Sequence, residues 1–249
     1  MRLTVLGSAA SYPGPGRACA GYLVQTADTS VLLDCGNGVL ANLGQVLDPV
    51  SLDAVVISHG HIDHFADLFA LQAALRYAPT GAVPPLPLYL PRGLFDRMKA
   101  LLGDRGGREL REAFKVHEVV PDAPIVVGDL SITPHPVDHG QSACALVVQG
   151  GGARLCYTGD TRLGDSVRRA ARGADVLLAD ATLPEEFAGR AAHMTPAEAA
   201  ELACDAGVHT LVMTHLWPTV DRTDALAAAR ERFGGRVIVA DEQTALDID

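Results

Sequence analysis

Short apolar segments separated by turns make up the opening quarter of the chain. Their pattern is typical of buried β-strands, and it predicts strands at Arg2–Gly7, Gly21–Thr26, Ser30–Asp34 and Ala54–Ser58. From about His64 the apolar residues recur at near-helical spacing, which predicts a helix with one face against a core. The prolines of Pro79–Pro91 exclude a helix or central strand throughout, so we predict a loop there, either over a functional site or on the plain surface.

The middle and the last third of the chain differ in pattern. A charged helix is predicted at about Leu94–Phe114, with a break around Gly103–Gly107. Further strands are predicted at Val116–Val120, Leu130–Pro134, Ala143–Gln149, Arg154–Thr158, Val176–Ala179, Thr210–Thr214 and Arg236–Ala240, with helices from Thr195 and Thr223. Consecutive strands in the first part of the chain, followed by alternating strands and helices in the last third, predict layered sheets flanked by helices. One domain over residues 1–249 is the simplest interpretation of the length.

Composition narrows the class of protein. Hydrophobic residues make up 48% and charged residues 20%, as in soluble globular proteins. No apolar run approaches the ~20 residues of a membrane span. The first residues also lack a secretory leader, so we expect a cytoplasmic protein without a membrane partner. Five scattered cysteines without a CxxC pair predict reduced thiols rather than disulfides.

The formal net charge of −10 makes nucleic acid a disfavoured partner. Broad capture of a nucleic-acid backbone needs clustered Lys and Arg that displace counterions. A small anionic substrate stays compatible with this charge, because bound dications would add positive charge that the formal count omits.

The densest group of candidate metal ligands lies in the segment Ser58–His64, which reads SHGHIDH. Its four donors are His59, His61, Asp63 and His64. Four donors within six residues cannot share one face of a regular helix or strand, but they fit a tight loop after an apolar strand. Imidazole nitrogens suit zinc and its neighbours, and a mixed His/Asp set is typical of a catalytic site. A solvated polar loop would explain an isolated HxH motif but not one this dense.

Three further candidate ligands each follow a predicted strand, namely His139, Asp160 and His215. Side chains at strand ends commonly collect in one crevice. Taken singly, either histidine would be an ordinary hydrogen-bonded residue. Together with the dense motif, they predict one metal-binding pocket.

The order of motifs over residues 34–215 resembles the metallo-β-lactamase superfamily. It consists of an HxHxDH motif, a later His, an Asp in a Thr-Gly-Asp turn and a late His. The resemblance implies an α/β fold of the αββα sandwich type, with two mixed β-sheets flanked by helices. It also implies two divalent metal ions, zinc by default, with manganese or iron as alternatives. In that pattern His59, His61 and His139 hold the first metal, Asp63, His64 and His215 hold the second, and Asp160 bridges them. Asp34 matches the acid that orients the histidine loop from behind, although a turn residue at a strand end is the alternative.

Three segments are similar to the phosphodiesterase branch that includes tRNase Z: Thr158–Thr161, Ala179–Thr182 and His193–Thr195. Asp180 of the second segment is expected to support the ligands from behind. Thr195–Glu198 reads as a helix start with a capping box, so His193 would precede a helix end that favours phosphate. We expect His193 and Thr195 to bind substrate and His193 to protonate the leaving alkoxide. A capping or surface histidine is the alternative.

Two departures weaken the match to tRNA processing. The His-Glu-Ala-Thr motif of tRNase Z is replaced by Ala-Asp-Ala-Thr at Ala179–Thr182. The tRNA-binding arm of tRNase Z usually lies in the interval that corresponds to Gly140–Gly159, which has room only for a hairpin. The start of the chain, with Tyr12–Pro15 and Asp34–Gly38, is similar to short actinobacterial proteins of the tRNase Z type. Some of those hydrolyse cyclic nucleotides. The resemblance implies a small-molecule phosphodiester such as cyclic AMP as substrate, and it suggests a homodimer.

The expected reaction is attack on phosphorus by a hydroxide held between the metals, with Asp63 and His193 as catalytic residues. A tRNA 3′-end endonuclease is one alternative, and it would need a basic patch or arm. A lactone, thioester or β-lactam hydrolase is another, and it would need no phosphate-binding helix end. A non-catalytic binding protein usually arises by loss of ligands, and none is missing. Pro84–Tyr89 and Trp217 are candidate pocket walls, although Trp217 fits core or loop packing better.

Overall fold

The computed structural model describes residues 1–77, 83–140 and 142–249. Within them, two seven-stranded β-sheets pack face to face, and helices cover the outer face of each sheet. The predicted fold class, two mixed sheets flanked by helices, is confirmed.

The first sheet takes six strands from the first half of the chain and one from the last residues. They are β1 (Arg2–Gly7), β2 (Gly21–Gln25), β3 (Ser30–Leu33), β4 (Ala54–Val56), β5 (Leu86–Leu90), β6 (Phe114–Glu118) and β14 (Ala245–Asp247). Their order is β14-β1-β2-β3-β4-β5-β6. β14 to β3 pair antiparallel, whereas β3 to β6 pair parallel.

The second sheet is formed by consecutive strands. They are β7 (Ile125–Val127), β8 (Leu130–Asp138), β9 (Ser142–Gly150), β10 (Ala153–Tyr157), β11 (Val176–Asp180), β12 (Thr210–Thr214) and β13 (Arg236–Val239). β7 to β10 form an antiparallel meander, and β10 to β13 are parallel. The ends of β10, β11 and β12 therefore lie side by side, which is where ligand-binding residues commonly collect.

Three apolar layers hold the sandwich together. α1 (Val39–Leu43), α2 (Leu68–Arg76) and α3 (Leu94–Ala113) pack on the first sheet, and α4 (Asp165–Ala171), α5 (Pro196–Ala206) and α6 (Arg222–Arg232) on the second. Tyr22, Leu33, Leu146 and Leu155 are among the residues buried between the sheets. Burying one such side chain contributes about 1.5–3 kcal/mol. This inner layer fixes the spacing of the sheets and so of the loops at their ends.

The predicted helices begin close to their predicted first residues, with one exception. The helix predicted from about His64 begins at Leu68, after a single 3-10 turn at Ile62–His64. The break in the charged helix is confirmed, because Gly103 has φ 67° and ψ −173°. The capping box at the start of α5 is also confirmed, with Thr195 and Glu198 as its two members.

Part of Pro79–Pro91, which was predicted to be a loop, is the strand β5 in the first sheet. The pairing of β5 with β4 starts at Leu88, so Pro87 breaks no bond of that ladder. Residues 79–82 lie outside the described residues. In the described ranges, no helix is both long and apolar enough to span a bilayer.

Candidate metal centre

Seven polar side chains converge where four strands end. The loop after β4 supplies His59, His61, Asp63 and His64, and the segments after β8, β10 and β12 supply His139, Asp160 and His215. Six of the seven are buried, and His61 is exposed. The structure thus brings together, from both sheets, every residue that the sequence pattern nominated as a ligand.

One group of donors contains three histidines and an aspartate. Nδ1 of His61 lies 3.0 Å from Nε2 of His59 and 3.1 Å from Nε2 of His139. Oδ2 of Asp160 is 3.5 Å from both of those Nε2 atoms. Each residue offers one atom, and the four atoms lie within 4.8 Å of one another, so a single ion could contact all of them.

A second group lies beside the first. Nε2 of His64 is 3.2 Å from Nε2 of His215, and Oδ2 of Asp63 is 3.3 Å from Nε2 of His215. Oδ2 of Asp160 lies 3.4 Å from Nε2 of His64 as well. Asp160 therefore touches both groups, which is the position of a bridging ligand. Its Oδ1 atom is buried and has no hydrogen-bond partner in the described part of the chain.

The protons on the histidine rings fit bound cations. Nδ1 of His139 donates to the carbonyl of Ala192 at 2.8 Å, and Nδ1 of His215 lies 2.8 Å from the hydroxyl of Thr182. The Thr182 hydroxyl donates to Asp180 at 2.6 Å, so it accepts from His215. With the proton on Nδ1, the Nε2 atom of each ring carries a lone pair. Nε2 of His139 faces Oδ2 of Asp160 at 3.5 Å, and Nε2 of His215 faces Oδ2 of Asp63 at 3.3 Å, so these lone pairs repel unless a cation or a proton lies between them.

Asp34 organises the histidine loop from behind. It is completely buried and has a positive φ of 57°. Its carboxylate accepts hydrogen bonds from the amide and hydroxyl of Ser58, at 2.7 and 2.8 Å, and from the hydroxyl of Tyr157 at 2.7 Å. It also lies 2.8 Å from Nδ1 of His64, which directs Nε2 of that ring to the centre. Left-handed backbone is tolerated by Asp better than by most residues.

Burial and neighbouring charges set the protonation of the centre. Burial and the nearby His64 lower the pKa of His59, and burial and His139 lower that of His61. Burial opposes the charge on His64, but Asp160 and Asp34 outweigh it and raise the pKa of His64 well above its usual range. Burial likewise opposes ionisation of Asp160, yet its pKa is held well below the usual range by the surrounding histidines. Neutral imidazoles and ionised carboxylates are the forms that bind a metal, so His59, His61 and Asp160 are ready to bind, whereas His64 would lose a proton when an ion binds.

His193 lies at the edge of the centre. Its Nδ1 atom is 2.8 Å from Oδ2 of Asp180 and 4.0 Å from Oδ2 of Asp160. Its ring is 4.7 Å from that of His139 and nearly parallel to that of His215. The side chain is 19% exposed. Burial lowers the pKa of His193, but Asp180 and Asp160 prevail and raise it to about 9.

Thr195 is placed differently from the expected substrate-binding role. It is completely buried, and its hydroxyl accepts from the amide of Glu198 at 3.2 Å. The Glu198 carboxylate accepts from the amide of Thr195 in return. The hydroxyl therefore caps α5 and is not open to a ligand in this conformation.

Several supporting contacts were not found from the sequence. Ser11, Ser58, Tyr157 and Thr182 each bond to a candidate ligand or to a carboxylate behind one. The amide of Ser11 donates to Oδ2 of Asp63 at 2.7 Å, and Ser11 has a positive φ of 63°. Main-chain donors and common hydroxyl residues carry no motif, so only their tertiary contacts identify them.

The candidate pocket walls have other partners as well. Tyr89 belongs to β5 and stacks on the ring of His117 at 4.9 Å. Trp217 is half-buried, and its ring packs edge-to-face with that of Phe187, with 6.5 Å between the ring centroids. These contacts fit loop and sheet packing for both residues.

Relatives of the chain share both its sequence and its fold. An uncharacterized protein of Mycobacterium tuberculosis (strain ATCC 25618 / H37Rv) is 35% identical over 254 residues, covering 97% of this chain and 91% of the relative. The probable metallo-hydrolase YhfI of Bacillus subtilis (strain 168) is 30% identical over 247 residues, covering 96% and 97%. The crystal structure of YhfI matches with a TM-score of 0.89 at 29% identity over 99% of both chains. Ribonuclease Z of Mycobacterium bovis (strain BCG / Pasteur 1173P2) is 30% identical over 271 residues, covering 97% and 96%.

The model of the beta-lactamase superfamily domain matches residues 29–216, a span that contains all seven side chains of the centre. The chain therefore belongs to the beta-lactamase superfamily, has the metallo-β-lactamase fold, and is a metal-dependent hydrolase.

Proposed function

We propose that this protein is a phosphodiesterase that hydrolyses a small cyclic phosphodiester such as cyclic AMP. The observation that carries the proposal is the pair formed by His193 and Asp180 beside the metal-binding groups. Asp180 faces Nδ1 of His193 at 2.8 Å, so Nε2 is the ring atom left for a substrate. A histidine held this way can contact a phosphoryl oxygen and give its proton to the leaving alkoxide.

The metal assignment is part of the same proposal. His59, His61 and His139 would hold one ion, Asp63, His64 and His215 the other, and Asp160 both. Two divalent ions, zinc by preference and manganese or iron as alternatives, would activate water and neutralise phosphoryl charge when bound. Elemental analysis of the purified protein distinguishes zinc, manganese and iron.

The protonation of the site agrees with acid catalysis. A pKa of about 9 leaves His193 protonated at neutral pH, so it carries the proton that an alkoxide leaving group needs. Asp63 is held ionised, because His215 and His64 outweigh its burial and lower its pKa. The Ser11 amide fixes its orientation. We propose Asp63 as a catalytic residue that both binds metal and orients the attacking water.

A small diester is favoured over tRNA by two features. Gly140–Gly159 contains β9 and β10 joined at Gly151 and Gly152, and in the described part of this interval there is no further arm. The net charge of −10 does not favour binding of a polyanionic nucleic-acid backbone. The similarity to a ribonuclease Z supports phosphodiester chemistry in general.

The deciding experiment is a substrate screen with metal-loaded protein. Cyclic AMP, a precursor tRNA and a chromogenic cephalosporin are incubated with the wild type and with Asp160→Ala. We expect AMP to form from cyclic AMP with the wild type only. Cleavage of the tRNA or the cephalosporin with no turnover of cyclic AMP would overturn the proposal in favour of one of the alternatives.

We also propose a cytoplasmic location. Among the described residues all five cysteines are unpaired, and four of them are buried. Buried thiols persist in a reducing compartment. Fractionation of the native host is the direct test.

A further inference from the structure

Arg97 packs against the metal-binding loop. It lies in the first turn of α3, and its guanidinium covers Gly60, the residue between His59 and His61. A Cβ at position 60 would collide with Nη2 of Arg97 and come within 3.3 Å of its Cζ. Arg97 and His61 are both exposed, so the guanidinium lies on the solvent side of this loop.

The charge of Arg97 has no partner among the described residues. Two of the three other arginines of α3 are engaged: Arg105 pairs with Glu109 at 3.0 Å, and Arg111 lies over the ring of Phe95 at 4.5 Å. Within the described ranges, no carboxylate lies within 4.0 Å of the Arg97 guanidinium, which packs against the backbone of Gly60.

The position of Arg97 is also unfavourable for the helix. The first turn of a helix carries positive potential and favours acidic residues over basic ones. An arginine placed there adds its charge to that of the helix end. Asp96 in the same turn is the acidic residue that suits this helix end, and Arg97 adds a positive charge at the rim of the centre.

We propose that Arg97 is a specificity residue that binds a nonbridging phosphoryl oxygen of the incoming phosphodiester. This inference rests on the proposed function and names one further residue for it. A guanidinium presents parallel N–H donors that match two phosphoryl oxygens, and it stays charged at every working pH. Arg97 lies in α3, which packs on the first sheet, and His193 lies in the loop before α5, which packs on the second, so the phosphate would be held from both halves of the sandwich.

The test compares Arg97→Ala and Arg97→Lys with Arg108→Ala. Arg108 is an exposed arginine of the same helix beyond the kink at Gly103, so its loss changes the net charge equally. With bis-p-nitrophenyl phosphate we expect Arg97→Ala to raise KM about tenfold and to change kcat less than about twofold. Arg97→Lys should recover part of the loss, and Arg108→Ala should match the wild type.

Binding of inorganic phosphate to the metal-loaded proteins, measured by calorimetry, separates this inference from the proposed function. An about tenfold weaker Kd in Arg97→Ala, at unchanged metal content, supports the role of Arg97 even where the wild type turns over no diester. Unchanged phosphate binding would overturn it. Loss of metal from Arg97→Ala would also overturn it, because Arg97 would then support the metal loop rather than the substrate.

Discussion

Asp34 and Asp180 have equivalent roles behind the two groups of candidate metal ligands, because each accepts a hydrogen bond from a hydroxyl group that contacts a histidine. Asp34 accepts from the Ser58 hydroxyl, and Asp180 accepts from the Thr182 hydroxyl. Each hydroxyl contacts the Nδ1 atom of a histidine in the centre. A buried carboxylate that accepts several hydrogen bonds fixes the direction of every donor around it. The two carboxylates thus determine which nitrogen of His59, His64 and His215 faces the centre.

Replacing Asp34 with Asn should weaken metal binding by about 10–100-fold, because an amide cannot accept every bond that the carboxylate accepts. The measurement is competition with a chromogenic chelator. Asp53→Asn is the matched control, since Asp53 also accepts from a main-chain amide, that of Ser30 at 2.8 Å, but lies away from the centre. Equal metal affinity in Asp34→Asn and wild type would contradict this role.

Replacing His193 with Ala should leave metal content unchanged and lower kcat for an alkoxide leaving group by about 10²–10⁴-fold. A nitrophenolate needs little protonation, so the loss should be much smaller with bis-p-nitrophenyl phosphate. His209→Ala serves as the control, because His209 is exposed and precedes β12 at the opposite end of that strand. Equal losses for both leaving groups would remove His193 as the acid.

The candidate ligands could be predicted from the sequence because their residue types are uncommon at such density. Four donors in Ser58–His64 have few other uses, and the remaining three each follow a strand. Ser11, Tyr157 and Thr182 are different, because serine, tyrosine and threonine serve many purposes. Their importance arises from bonds made across the fold, and no local pattern records those bonds.

Among the elements, the loop Ser8–Ala18 has an unusual anchorage. The Glu242 carboxylate accepts from the amides of Ser8 and Ala18 at 3.2 Å each, so one side chain ties both ends of the loop. Glu242 is only 13% exposed. In its middle, the loop gives the Ser11 amide to Asp63. The loop therefore connects the last part of the chain to a candidate metal ligand.

Replacing Glu242 with Ala should free both ends of this loop and weaken binding of the second metal equivalent about tenfold, with the first equivalent little changed. Hydrogen exchange across residues 8–18 and a metal titration report the two effects. Asp175→Asn is the matched control, because Asp175 accepts from the Arg154 amide at 2.7 Å. Faster exchange with unchanged metal binding would show that the loop does not position Asp63.

The elements were predictable where one local signal dominated. The cap of α5 and the kink at Gly103 follow from single residues whose backbone chemistry is strong. β5 was hidden because the prolines around it argue against a strand, and only its neighbours β4 and β6 make it one. The short elements β7, β14, α1 and α4 offer too few residues for a periodic pattern.

At the scale of the whole molecule, the centre joins the two sheets. The carbonyl of Ser58 accepts from the amide of Cys144, and His59 forms an isolated bridge with Ala143. The candidate ligands on one side follow β4 of the first sheet, and those on the other follow strands of the second. Bound metals would therefore cross-link the sandwich at this edge.

Removing both metals should lower the Tm by about 11–22 °C. Each ion present at 100 times its Kd stabilises the protein by about 2.7 kcal/mol, and each kcal/mol shifts the Tm of a chain this long by about 2–4 °C. Calorimetric scans before and after dialysis against a chelator give the value. Asp160→Ala, which should hold little metal, should show no such shift. A chelator-dependent shift of the same size in that variant would mean that the metals bind elsewhere.

The placement of β14 beside β1 has a consequence for biosynthesis. β1 precedes the other strands of the first sheet in the sequence, yet its outer partner β14 is translated after every strand of the second sheet. Throughout elongation, the nascent polypeptide carries an open hydrogen-bonding edge, which is a template for intermolecular pairing. Long-range closure of this kind also slows folding and leaves intermediates open to aggregation. We therefore expect the yield of native enzyme to depend on chaperone supply during translation.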